Sequence, residues 1–127
     1  MKILVVDDEV DVESLFLQRF RKEIRNGDIE FDFALSGEAA LSYLGDHQTE
    51  VILILSDINM PGMSGIELLS KIRTSYSVPP RMVMMVTAYG DEENRQQALA
   101  KGANDFLTKP LDFELLKNKL KTFSNND

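Results

Sequence analysis

Six side chains stand out for the chemistry they could do together. Asp7, Asp8 and Glu9 follow directly on an apolar run, Asp57 closes a second, Thr87 closes a third, and Lys109 stands immediately before Pro110. The chain has no cysteine, which excludes thiolate ligation, and these blocks contain no histidine. Clustered carboxylates with no imidazole or thiolate suit a hard divalent cation, Mg²⁺ ahead of Ca²⁺, because no EF-hand loop pattern is present. Without a cation such a cluster is costly: two like charges ~4 Å apart repel by about 4 kcal/mol at an effective dielectric near 20. A bound Mg²⁺ could neutralise the oxygens of an incoming phosphoryl group, with Lys109 and the Thr87 hydroxyl holding the rest. A carboxylate nucleophile forming an aspartyl phosphate would complete the set.

These residues meet only if the intervening elements place them at one edge. Ile3 to Val6 is a short apolar run rich in β-branched residues, and Ile29 to Leu35 alternates apolar and polar as a strand with one face less buried. Val51 to Leu55 and Met82 to Val86 are wholly apolar, as strands covered on both faces should be, and a short strand is expected near Asp105 to Leu107. Val12, Leu15, Phe16, Phe20 and Ile24 recur at helical spacing until Asn26-Gly27. Ser36 to Asp46 reads as an Ala/Leu-rich helix. Ser64 and Glu67 match a capping box ahead of Ile66, Leu69 and Ile72. Pro79-Pro80 breaks the chain before the fourth strand. Asp91 to Lys101 is a polar helix closed by Gly102, and Asp112 to Phe123 places Phe113, Leu116, Leu120 and Phe123 on one face.

Five strands alternating with five helices predict an α/β fold, a doubly wound parallel sheet with helices on both faces. In such sheets chemistry collects beyond the carboxyl ends of the strands. Asp7-Asp8, Asp57, Thr87 and Lys109 all fall at strand ends in this reading, so the sheet would bring them together.

Composition bounds the remaining possibilities. With 127 residues the chain is one domain, read as residues 1–123 followed by a polar tail, 124–127. A formal charge of −7 argues against nucleic acid or an anionic membrane as a direct partner. The first ten residues are too weakly apolar for a signal peptide or a span, and a cytoplasmic location is expected. His47 is expected in a solvated loop, Met82, Met84 and Met85 as core filler, and Asp91-Glu92-Glu93 as charges at a helix N-terminus. Pro61, Gly62 and Gly65 read as turn residues.

The stretches VVDDE, SDINMPGMSG, VTAYG and LTKP, in that order, resemble the four signature blocks of response-regulator receiver domains, the CheY-like superfamily. The resemblance covers Lys2 to about Thr122. It implies strand order 2-1-3-4-5 and a flavodoxin-like architecture. It further implies Asp57 as phosphoacceptor, and Asp8 and Asp57 as direct Mg²⁺ ligands with Asp7 as a ligand through water. The backbone carbonyl of Asn59 would be another ligand. Thr87 and Lys109 would contact phosphoryl oxygens, and Lys109-Pro110 would be a cis peptide. The function implied is a phosphorelay switch with no enzymatic role beyond its own phosphorylation and dephosphorylation. The donor would be a sensor histidine kinase or a histidine phosphotransfer protein. A downstream protein target would read the face of helix 91–101, Phe106 and helix 112–123, with Thr87 and Phe106 as the switch pair. A monomer or a weak phosphorylation-dependent dimer is expected. In the family the side chains two positions beyond the phosphoacceptor and the Thr flank the path of hydrolytic water; here they are Asn59 and Tyr89, and Tyr89 is bulky enough to obstruct it.

Other readings have specific requirements. A haloacid-dehalogenase-like phosphohydrolase also uses an Asp nucleophile with Mg²⁺, but needs a second Asp two residues on, where this chain has Asn59. A pseudo-receiver would lack part of the acidic, Thr and Lys set, all of which is present. A stand-alone regulator and a receiver excised from a longer regulator fit the sequence equally.

Overall fold

The computed structural model describes residues 1–47, 50–51, 53–75, 82–88 and 90–125. Five strands form one parallel sheet: β1 (Lys2–Val6), β2 (Glu30–Ala34), β3 (Leu53–Asp57), β4 (Met82–Thr87) and β5 (Asp105–Thr108), in the order β2-β1-β3-β4-β5. The helices are α1 (Asp11–Arg19), α2 (Arg21–Arg25), α3 (Gly37–His47), α4 (Gly65–Ser75), α5 (Glu92–Ala100) and α6 (Phe113–Asn125). Fold class and strand order follow the sequence reading; the helix count does not.

The period-two alternation of the strands sorts the core into two layers. Ile3, Val5, Leu53, Leu55, Met84, Val86 and Leu107 face Phe16 and Phe20 of the first helices and Leu116 and Leu120 of α6. Leu4, Val6, Ile54, Val83 and Met85 face Ala40 and Leu44 of α3, Leu68, Leu69 and Ile72 of α4, and Ala98 of α5. Every inner strand is therefore apolar on both faces, which is why those segments read as continuous runs. Phe16 meets Phe31, Phe33 and Phe113 edge-on at ring separations of 5.3 to 6.3 Å. Truncating so enclosed a ring to alanine should cost about 3–5 kcal/mol.

The single helix expected from Val12 to Ile24 is two, because Phe20 leaves helical geometry at φ −107°, ψ 20°. Its ring stays fully buried, and hydrogen bonds continue across it, from Phe20 N–H to Phe16 O and from Ile24 N–H to Phe20 O. The break is thus a bend. Leu15, expected on the buried stripe, is 38% exposed. The third strand begins at Leu53 and runs into Asp57, two residues beyond the apolar run, because Ser56 and Asp57 still pair with their neighbours, Ser56 with Val6 and Asp57 with Val86. The last helix continues to Asn125, into the stretch expected as a tail.

Local signals held where their partners are local. The Glu67 N–H donates to Ser64 Oγ at 3.1 Å, the half of the capping box that secures the start of α4. Asp91 caps α5 by accepting from the Asn94 backbone N–H and side-chain amide, and Gly102 closes that helix at φ +100°. His47 is not a loop residue. It ends α3, and its ring stacks on that of Tyr43, one turn earlier, with centroids 4.2 Å apart. Ile52, Pro79-Pro80, Tyr89 and the last two residues lie outside the described residues. Among those described, no helix is long and apolar enough to cross a membrane.

Candidate functional site

The strand order places the carboxyl ends of β1 and β3 side by side, where the direction of winding reverses, and those of β4 and β5 next to them. Carboxylate oxygens of Asp7, Asp8 and Asp57 all lie within 4.8 Å of one another there. Asp57 is buried, Asp7 half-buried and Asp8 exposed, so the cluster opens from the sheet edge to solvent.

Each member is held by its backbone. The Asp7 N–H extends the β1–β2 ladder by donating to Ala34 O, and Asp7 Oδ1 accepts from the Glu9 N–H at 2.9 Å. Ser56, fully buried, donates its hydroxyl to the Asp57 carbonyl at 3.0 Å. Asp57 Oδ1 accepts from the Asn59 N–H at 3.3 Å, and Asp57 Oδ2 accepts from Lys109 Nζ at 2.8 Å. The loop beyond Asp57 is closed by Gly65 N–H donating to Ile58 O at 2.8 Å. A Cβ on Gly65 would lie 2.2 Å from the Asp57 carbonyl oxygen, so only glycine lets α4 start this close to the backbone of Asp57. Thr87 is buried at the end of β4, and its carbonyl accepts from the Lys109 N–H at 2.9 Å. The Lys109-Pro110 peptide is cis.

The electrostatics match a site built for positive charge. Burial raises the pKa of Asp7 above the usual carboxylate value; the neighbouring Asp57 adds to this, while the Glu9 N–H and Lys109 oppose it. Burial alone would lower the pKa of Lys109, but the hydrogen bond and charge of Asp57, with Asp7 and Glu9, outweigh it and leave the ammonium stabilised.

Asp7, Asp8, Asp57 and Lys109 are brought together as expected. Thr87 lies in the strand beside Asp57, and Asn59 reaches Asp57 through its N–H. Phe106, half-buried on β5, packs against the core layer that holds Ala98, and the Arg95 guanidinium lies over its ring at 5.2 Å. The sequence reading missed three contributors: the Ser56 hydroxyl, the close approach at Gly65, and Arg95. Only Gly65 carried a local signal, and it was read as a turn.

The fold and strand order are those of a class of signalling domains, and comparison with known proteins identifies the family. The response regulator receiver domain family matches residues 3–121. Response regulator RppA of Synechocystis is 39% identical over 110 residues, covering 87% of this chain and 44% of RppA. A 14.6 kDa protein from the sodA1 3′ region of Leptolyngbya boryana is 39% identical over 118 residues, covering 92% of this chain and 86% of its own. Among solved structures, a two-component response regulator from Clostridium difficile superimposes with a TM-score of 0.83 at 25% identity, covering 98% and 96% of the two chains. The receiver domain of Ssk1 from Saccharomyces cerevisiae, solved with the histidine phosphotransfer protein Ypd1, gives 0.78 at 27% identity, covering 94% and 85%. The chain belongs to the response regulator receiver domain family. It spans less than half the length of RppA.

Proposed function

We propose that the protein is a phosphorelay switch in which Asp57 accepts a phosphoryl group from a histidine kinase or a histidine phosphotransfer protein. The observation that carries this reading is the buried carboxylate of Asp57, held between Lys109 and two further acidic residues at the mouth of a parallel sheet. A carboxylate oxygen of Asp57 attacks phosphorus as the bond from phosphorus to the donor breaks, and the leaving group departs with its electron pair. Lys109, already on Asp57 Oδ2, would follow the transferred charge, and the Thr87 hydroxyl would hold another phosphoryl oxygen.

The donor set fits Mg²⁺: oxygen ligands only, with mutual repulsion that a divalent cation would relieve. Asp8 and Asp57 would bind it directly, Asp7 through water and Asn59 through its carbonyl. When bound it would neutralise phosphoryl oxygens and align donor and acceptor. The output would be a changed surface on α5, Phe106 and α6, read by a downstream protein; location in the cytoplasm follows from partnership with a kinase. In the complex of Ssk1 with Ypd1 the receiver domain's partner is a phosphotransfer protein, which supports the same class of donor here.

The test is mass spectrometry after incubation with acetyl phosphate and Mg²⁺. The wild-type chain should gain one phosphoryl group and Asp57→Asn none. Undiminished modification of that variant would falsify the assignment.

A further inference from the structure

We infer that Ser56 is a positioning residue for phosphoryl transfer: its buried hydroxyl fixes the peptide bond that follows Asp57, and through it the loop that aims the Asp57 carboxylate. The inference rests on the reading of Asp57 as phosphoacceptor and adds to it a group fully shielded from any phosphodonor.

Among the described residues, the buried polar and charged side chains are Ser56, Asp57 and Thr87. Asp57 and Thr87 have their parts at the site, and Ser56 is the one left over. It stands in β3 between Val6 of β1 and Met85 of β4, on the same face as Ile54, so its flanking partners are apolar. A side chain without a hydroxyl would fit such a place with no polar group to desolvate, so the hydroxyl needs a reason. Its hydrogen bond goes to the Asp57 carbonyl at 3.0 Å.

That carbonyl lies where the sheet stops supplying donors. The Ile58 N–H donates to Val86 O on β4 at 3.1 Å, and a trans peptide turns the Asp57 carbonyl the opposite way, toward β1. Pairing between β1 and β3 ends at Val6 and Ser56, one residue short of it. The Ser56 hydroxyl supplies the donor that the ladder no longer provides. From α4 the same carbonyl is crowded by Gly65, where an added Cβ would come within 2.2 Å. The Asp57–Ile58 peptide is thus held at both its oxygen and its N–H.

The torsions on either side of that peptide set where Asn59 lies. The Asn59 N–H donates to Asp57 Oδ1 at 3.3 Å, while Lys109 Nζ donates to Oδ2 at 2.8 Å. Without the Ser56 donor the buried carbonyl turns toward another partner, because an unpaired one is costly, and the Asn59 N–H is carried off Oδ1. The carboxylate then loses one of the two contacts that aim it, and attack needs an aimed oxygen. With acetyl phosphate as donor, an Asp57 oxygen bonds to phosphorus as the bond from phosphorus to the acetate oxygen breaks. Acetate leaves with the electron pair, and Ser56 takes no proton. A serine that only fills space would leave both the Asn59 contact and the rate untouched.

The experiment compares the full wild-type chain with Ser56→Ala, Ser56→Cys and Ser56→Thr, using acetyl phosphate, Mg²⁺ and mass spectrometry at a temperature where each is folded. Ser56→Ala should label about tenfold more slowly, part of the roughly hundredfold loss that a misplacement of ~1 Å costs. Ser56→Cys keeps a similar size with a weak donor and should slow to the same degree; it carries the test if the alanine variant does not fold. Ser56→Thr keeps the hydroxyl and should label like wild type. In amide spectra the Asn59 resonance should move in the Ala and Cys variants and stay in place in the Thr variant, a pattern that lost stability alone does not produce. Ile29→Ala, a core truncation just ahead of β2 at the opposite end of the sheet, is the control for lost stability and should label at the wild-type rate. Wild-type labelling by the Ala and Cys variants would overturn the inference. So would equal slowing in Ser56→Thr or in Ile29→Ala, or an unmoved Asn59 resonance. If wild type takes up no phosphoryl group, the phosphoacceptor reading fails; if it does and Ser56→Ala matches it, the positioning role alone fails.

Discussion

Lys109 Nζ lies 2.8 Å from Asp57 Oδ2, although 52 residues separate the two in the chain. The carboxylate is almost fully buried and the ammonium is 38% exposed, so the pair joins the interior to solvent. Lys109 gives Asp57 a counter-charge and a fixed orientation before any phosphoryl group arrives.

Replacing Lys109 with methionine should therefore act twice. Acetyl phosphate labelling of Asp57 should slow by about a hundredfold, the usual cost of removing one group that stabilises developing charge. Urea denaturation without Mg²⁺ should show a loss of about 1–2 kcal/mol, reduced from the cost of breaking a fully buried pair because Lys109 is partly solvated. Wild-type labelling in this variant would show that the contact has no part in the chemistry.

Mg²⁺ should raise the melting temperature of the wild-type protein, because the three carboxylates are gathered only in the folded state and would bind the ion there. Asp8→Asn should be more stable than wild type in EDTA and should lose most of the Mg²⁺-dependent rise. Equal shifts in both proteins would place the metal elsewhere.

Asp7 determines the direction of a pH effect. Its folded pKa is raised by burial from 3.8, so the folded state holds its proton more tightly than the unfolded state. Its stabilising contribution is full below pH 3.8 and is lost as pH rises through the folded value. In EDTA, thermal melts across this window should show wild type losing stability relative to Asp7→Asn as pH increases. Parallel curves would mean that Asp7 feels neither burial nor Asp57.

Gly65→Ala places a methyl group against the Asp57 carbonyl oxygen and the Ile58 Cα, both backbone atoms that no rotamer change can move. A loss of about 3 kcal/mol in urea denaturation is expected, with slower labelling of Asp57 in whatever fraction folds. Gly45→Ala, which meets nothing within 4 Å, is the control.

The proposed switch pairs Thr87 with Phe106. Phe106 has no hydroxyl, so its coupling must work through ring packing, and the ring is now held between the core beside Ala98 and the Arg95 guanidinium. α5 buries only Ala98 and leaves Leu99 exposed, so its local opening should be cheap. Amide hydrogen exchange with a Mg²⁺–beryllofluoride mimic should change from Asp91 to Lys101 and from Phe106 to Leu111, while Ile3 to Val6 stays protected. A silent α5, or a response that survives Phe106→Ala, would break the coupling.

Much of this protein is written in local patterns. Apolar runs that end in Asp7 and Asp57 mark strand ends, and Ser64, Asp91 and Gly102 mark helix ends, because caps and periodicities need only neighbours a few residues away. The chain order of the blocks around Asp7, Asp57, Thr87 and Lys109 likewise points to one sheet edge, where the structure gathers Asp7, Asp8, Asp57 and Lys109. What the sequence left open depends on register and on contacts between distant segments. Pairing Asp57 with Val86 and Thr87 with Thr108 sets how far β3 extends and where Lys109 can reach. The bend at Phe20 arises because its ring is fixed in a layer of phenylalanines from β2 and α6, overriding a helical pattern that had no breaker in it.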